Sequence, residues 1–249
     1  MRVLWLLPYT ASMLPLPALF QASMCRPTLP RAVTLRACAT ATEDVAVDEV
    51  DRVREWIQEI VIRLGLCPYA AKPYTAEQIR YVVSAAVTDE ELIHDFYAEA
   101  CTLLEAEEEE IATSFLIAPH YNSGIDDYYY LYEWLVGTLE EAGDEAAAAA
   151  DEAATNSVEL HVGDRIQPAF FHPQWSFSEL SADAPLHFEK RAPYPVINLL
   201  RRAQLDAVVK EAYETRGVFI NREISEHNAA ALEAEGYDNL ARVFARWLS

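Results

Sequence analysis

The chain has 249 residues, carries 19 Lys and Arg against 40 Asp and Glu for a formal charge of −21, and is 52% hydrophobic. That length buries a substantial core, and the hydrophobic content excludes a wholly disordered chain. The acidic balance argues against a nucleic-acid binder, whose affinity rests on Lys and Arg at phosphates; no two of the 7 glycines lie two apart, so GxGxxG is missing, as are a Walker loop and a GxSxG elbow.

Residues 1–42 contain no Asp or Glu and carry Arg2, Arg26, Arg31 and Arg36. Val3 to Phe20 is mostly apolar but is broken by Pro8, Pro15 and Pro17, each of which costs a helix about 3 kcal/mol, so no stable membrane insertion is expected. An apolar stretch followed by an acid-free, Arg-bearing one reads as a targeting presequence over residues 1–44. A plastid is the expected destination, with a mitochondrion or the secretory pathway as alternatives. Beyond it, Cys67 and Cys101 show no CxxC and no zinc-ligand spacing.

Residues 45–249 read as a single α/β domain. Val50, Val53, Ile57, Ile60, Val61 and Leu64 recur at helical spacing, with Gly65 as C-cap and Pro68 beyond it. Ile79 to Ala85 is a β-branched strand candidate. Thr88-Asp89 predicts an N-cap for a helix to about Glu107, and Ala112 to Ala118 a second strand. A helix from Asp126 or Asp127 to about Glu141 follows, then an acidic, Ala-rich insertion near 141–157 with no apolar stripe to anchor it. Ile166 to Phe171 is a third strand, and Pro168 suits it to a sheet edge. Val196 to Ala203, Leu205 to Thr215, Ile224 to Glu235 and Tyr237 to Trp247 all show helical spacing. Strands alternating with helices predict a small three-stranded parallel sheet with crossover helices and a helical C-terminal half.

LCPYA at 66–70, QIRYVVS at 78–84, FHP at 171–173, RAPYP at 191–195 with Leu199-Leu200-Arg201, and Ile224 to Asn228 follow one another in the order and spacing of domain-of-unknown-function family 1415. The chain resembles that family over almost all of residues 45–249, apart from the acidic insertion and the loop near 156–164. The resemblance supplies motif positions and no mechanism. It also implies two departures: Asn198 stands where the family pattern has His, and Arg202 where it has Glu. A base or metal ligand resting on that His would be missing here.

His172 and His120 follow the third and second strand candidates. In a parallel sheet both would lie at the carboxyl ends of neighbouring strands, where open α/β sheets bind ligands. His172 fits a general acid or base, because imidazole titrates near neutrality; the competing reading is a loop histidine bonded to backbone. Arg191 and Tyr194 lie in a loop stiffened by Pro193 and Pro195. A guanidinium held there suits a carboxylate or phosphate, with Arg80 and Arg201 as further cations, or else forms an internal salt bridge. Cys67 is a candidate nucleophile within reach of that edge, although a helix C-terminus raises a thiol pKa; otherwise it is a small apolar residue. Asp126 and Asp127 suit a helix N-cap at least as well as a cation, and no residue pattern names a metal or cofactor.

Two functions follow. One is an enzyme acting on a small anionic metabolite at the strand carboxyl edge, with catalytic His172 and Cys67, and Arg191, Tyr194, Arg80, Arg201 and His120 binding substrate. The other is a non-catalytic binding or assembly protein whose motifs serve the fold.

Overall fold

The computed structural model describes residues 42–121, 124–148 and 162–248; the expected presequence lies almost wholly outside them. Helix α1 (Thr42–Trp56) runs on into a π-helical segment, Ile57–Ile62. Gly65 ends it at φ 67°, where Leu66 N–H donates to Val61 O and Gly65 N–H to Ile62 O. This is the paired bond of a glycine C-cap, at the predicted residue. After the short α2 (Ala71–Thr75) comes β1 (Ile79–Val83). Helix α3 (Asp89–Glu105) starts at the predicted Thr88, whose side chain accepts Glu91 N–H while the Glu91 carboxylate accepts Thr88 N–H.

Strand β2 (Thr113–Ile117) leads to α4 (Ile125–Ala148), and β3 is Ile166–Phe171. Helix α4 runs past Glu141 to Ala148 and buries Ala142. Residues 149–161 of the expected insertion lie outside the described residues. Gly163 packs against α4 so closely that a Cβ there would sit 2.6 Å from Leu139 O. A 3₁₀ turn (Pro185–Glu189) precedes β4 (Val196–Arg201), and α5 (Arg202–Arg216), α6 (Ile220–Glu235) and α7 (Tyr237–Ala245) complete the chain.

The fold is α/β, but the sheet has four strands in the order β1-β2-β4-β3 and is mixed. β1 and β2 pair in parallel, whereas β4 is antiparallel to both β2 and β3. The expected three-stranded parallel sheet is thus corrected by one strand, inserted backwards. Val196 to Arg201 reads as helix in sequence because both its faces are apolar, and a short apolar run has no decisive period. Here Val196 and Ile197 face opposite cores, as a central strand requires. β3 is an edge strand, the position that suits Pro168.

β1, β2 and β3 point the same way, so their carboxyl ends share one edge with the start of β4, where Ile117, Val196 and Phe171 are in register. One sheet face packs on α3 and α4 through Phe96, Leu116, Tyr128, Leu135, Phe170 and Ile197. The other packs on α1, α6 and α7 through Val53, Trp56, Phe115, Phe188, Leu240 and Phe244. Each such side chain, fully buried, contributes about 1.5–3 kcal/mol.

Candidate functional site at the carboxyl ends of the strands

The carboxyl end is stitched together by backbone bonds. Ala118 N–H, just past β2, donates to Pro195 O at 2.9 Å, and His172 N–H, just past β3, donates to Lys190 O at 3.0 Å. The FHP and RAPYP segments therefore meet at one edge. His120 and His172 share that edge, but their strands are not neighbours: β4 lies between, and two strand spacings put their ends about 10 Å apart.

His172 is 5% exposed and lies against Tyr128, ring centroids 5.2 Å apart. Burial lowers its pKa to about 4, so at neutral pH the ring is uncharged. Its Nδ1 accepts Gln174 N–H at 3.1 Å. The ring proton must then sit on Nε2, which makes that nitrogen a hydrogen-bond donor. Tyr128 is fully buried, and its hydroxyl donates to Val196 O at 3.0 Å. His187 pins the same loop: its Nδ1 accepts Phe177 N–H at 3.1 Å, and Nε2 donates to Ser181 O at 2.8 Å.

Arg191 donates from Nε to Trp175 O at 2.9 Å and stacks over Phe188, 4.7 Å from the ring centre. Its terminal nitrogens have no protein partner among the described residues. Lys190 places Nζ 5.1 Å from the centre of the Phe171 ring. Asn228, buried on α6, donates to Glu189 at 2.8 Å and thereby holds the 3₁₀ turn, a structural role.

On the α1 side of the edge, Glu49 is 6% exposed. Burial raises its pKa, the charges of His120 and Arg52 oppose that rise, and Asp48 adds to it. Tyr194 sits in the same group: burial raises its pKa, while Arg52 pulls it down by its charge and a hydrogen bond. Arg52 also donates to Trp247 O at 3.0 Å, fixing α1 to the C-terminal tail. Glu49, Arg52, His120 and Tyr194, from three separate segments, are thus close enough to feel one another's charge. Sequence reading missed Glu49 and Arg52. The available signal was an acid at the head of α1's inward stripe, one turn before Val53 and two before Trp56.

The other three candidates lie elsewhere. Arg80 donates to Glu99 at 2.8 Å, and that carboxylate also accepts the Ser114 hydroxyl. Arg201 ends β4 at the opposite edge, where it donates to the carbonyls of Leu103, Ala106 and Ile111 and closes the C-terminus of α3. Cys67 follows the far end of the α1 and π-helical segment; the rise from Glu49 to Ile62 alone is about 20 Å. It has accessible surface but crowded surroundings, and that desolvation raises its thiol pKa. A raised thiol pKa disfavours the thiolate that a nucleophile needs.

Among the described residues, no three His, Cys, Asp or Glu side chains group as metal ligands, and no helix is long and apolar enough to cross a membrane. Neither a curated protein nor a solved structure matches the chain. The family described as "Protein of unknown function (DUF1415)" matches residues 48–242. The edge motifs at 171–173 and 191–195 fall inside that span, and the chain belongs to this family.

Proposed function

We propose that the protein is an enzyme acting on a small anionic metabolite at the carboxyl end of its sheet. Glu49 and His120 exchange the proton, Tyr194 and the Nε2–H of His172 donate hydrogen bonds, and the free guanidinium nitrogens of Arg191 bind the anion. The observation that carries this reading is Glu49: a carboxyl buried at the edge, with its pKa raised by that burial and an imidazole near enough to oppose the rise, suits proton transfer. His172 serves as a donor in this scheme, because the nitrogen a base would use is occupied by Gln174 N–H. Arg80, Arg201 and Cys67 take no part in it.

The alternative, a binding or assembly protein, is favoured by the bonds of His172 Nδ1 and Arg191 Nε to the loop backbone. A metabolite pool screened against the full chain, by thermal shift and by mass spectrometry of the products, separates the two. An enzyme converts one stabilising anion; Glu49→Gln still binds it but converts it about 100-fold or more slowly. Stabilisation without conversion, or no stabilisation at all, favours the alternative.

The acid-free residues 1–42 support a removable plastid presequence. N-terminal sequencing of the native protein is expected to begin between residues 18 and 48, and an intact Met1 would refute it.

A further inference from the structure

Lys190 is a partly buried cation without a counter-ion among the described residues. Desolvation lowers its pKa. Among the described residues it makes no ion pair within 4.0 Å, and the group its ammonium faces is the ring of Phe171. Glu189 is the carboxylate whose charge it feels, but Glu189 is engaged by Asn228 at 2.8 Å and lies beyond ion-pair reach. The next residue, Arg191, also rests on a ring and makes no ion pair. A chain with 40 carboxylates could have supplied one to either. Leaving a desolvated charge unpaired is costly, and here two adjacent cations rest on rings with no carboxylate partner among the described residues.

We propose that Lys190 and Arg191 together receive a doubly charged anionic group, a phosphate or a dicarboxylate, at the carboxyl end of the sheet. This rests on the reading that the site takes a small anion, and it adds the ligand class and Lys190 as its principal counter-charge. The backbone prepares the receptor: the bond from His172 N–H to Lys190 O fixes the chain at the cations, and Arg191 Nε on Trp175 O orients the guanidinium. Phosphate and dicarboxylate share the chemistry, and Arg can grip either through two parallel bonds.

The test uses the full chain with sodium phosphate and sodium succinate, each against sodium chloride at matched ionic strength, by thermal shift and titration calorimetry. At least one anion is expected to raise the melting point saturably above chloride. Lys190→Met should weaken that anion at least tenfold and, in chloride, melt no lower than the wild type, because the variant removes an unpaired charge. Lys190→Arg should keep the response if Lys190→Met fails to fold. A response to phosphate alone identifies a phosphorylated ligand, and one to succinate alone a dicarboxylate. If neither anion differs from chloride, or if Lys190→Met responds like the wild type, the proposal is overturned. Glu49→Gln should leave the anion response intact, so an anion-responsive protein that converts nothing sinks the enzyme reading and leaves this one standing.

Discussion

At the amino end of the co-directional strands, Arg80 is held by Glu99 and Arg201 by three carbonyls; at the carboxyl end, Lys190 and Arg191 rest on Phe171 and Phe188 with no carboxylate within 4.0 Å among the described residues. The polar groups at the two ends differ in the same way. Ser114 and Glu99 satisfy each other at the first, whereas at the second Glu49 is buried with a raised pKa and His172 uses Nδ1 on the loop backbone, which leaves its proton on Nε2. Cations that close a structure are saturated by it, and cations that serve a ligand are positioned by backbone and rings while their charge stays available.

The largest effect expected from breaking this contrast is at the closed end. Arg201→Met strips three carbonyls, partly buried at the end of α3, of their donors and should destabilise by about 4 kcal/mol in chemical denaturation, without altering an anion response. A loss below about 1 kcal/mol would show that Arg201 is not a structural clamp.

The second expectation concerns pH at the open end. His172 titrates near 6.5 unfolded and near 4 folded, so between those values the unfolded chain binds more protons. Its neutral form therefore contributes stability in full above about pH 6.5, and that contribution is lost as pH falls to about 4. The total is up to about 3 kcal/mol, and His172→Gln should remove this part of the slope in denaturant midpoints. An unchanged slope in the variant would contradict the buried, neutral ring.

A smaller effect is expected at Gly163, where the closed end of β3 meets α4. Gly163→Ala drives a methyl toward Leu139 O and should cost about 2 kcal/mol by overpacking. Near-neutral behaviour would mean that α4 can retreat. The same contact bears on the Ala-rich segment: a deletion beginning at Gly143 removes a residue packed on Gly163, whereas one confined to 149–156 does not.

Much of the fold was legible in the sequence where signals were local. The Gly65 cap, the Thr88 capping box and the edge position of Pro168 follow from single-residue chemistry. β4 was not legible, because strand VINLLR is buried on both faces and a six-residue apolar run fits either period. The direction of β4 was equally hidden: an antiparallel strand entering between β2 and β3 is decided by tertiary pairing. For the site, the shared edge of His120, His172 and the 191–195 loop follows from βαβ connectivity, which survives the insertion of β4. The separate fates of Arg80 and Arg201 depend on α3, whose Glu99 and terminal carbonyls meet them only in three dimensions. Glu49 went unnoticed because an acid in an acidic chain carries no signal until its helix face is known.

The most direct test of the contrast is amide chemical-shift mapping of the full chain titrated with phosphate and succinate at constant ionic strength. The account predicts saturable shifts at Ala118, His120, His172, Lys190, Arg191 and Tyr194, and none at Arg80, Glu99 or Arg201. Shifts centred on the amino end, or spread evenly over the surface, would contradict it.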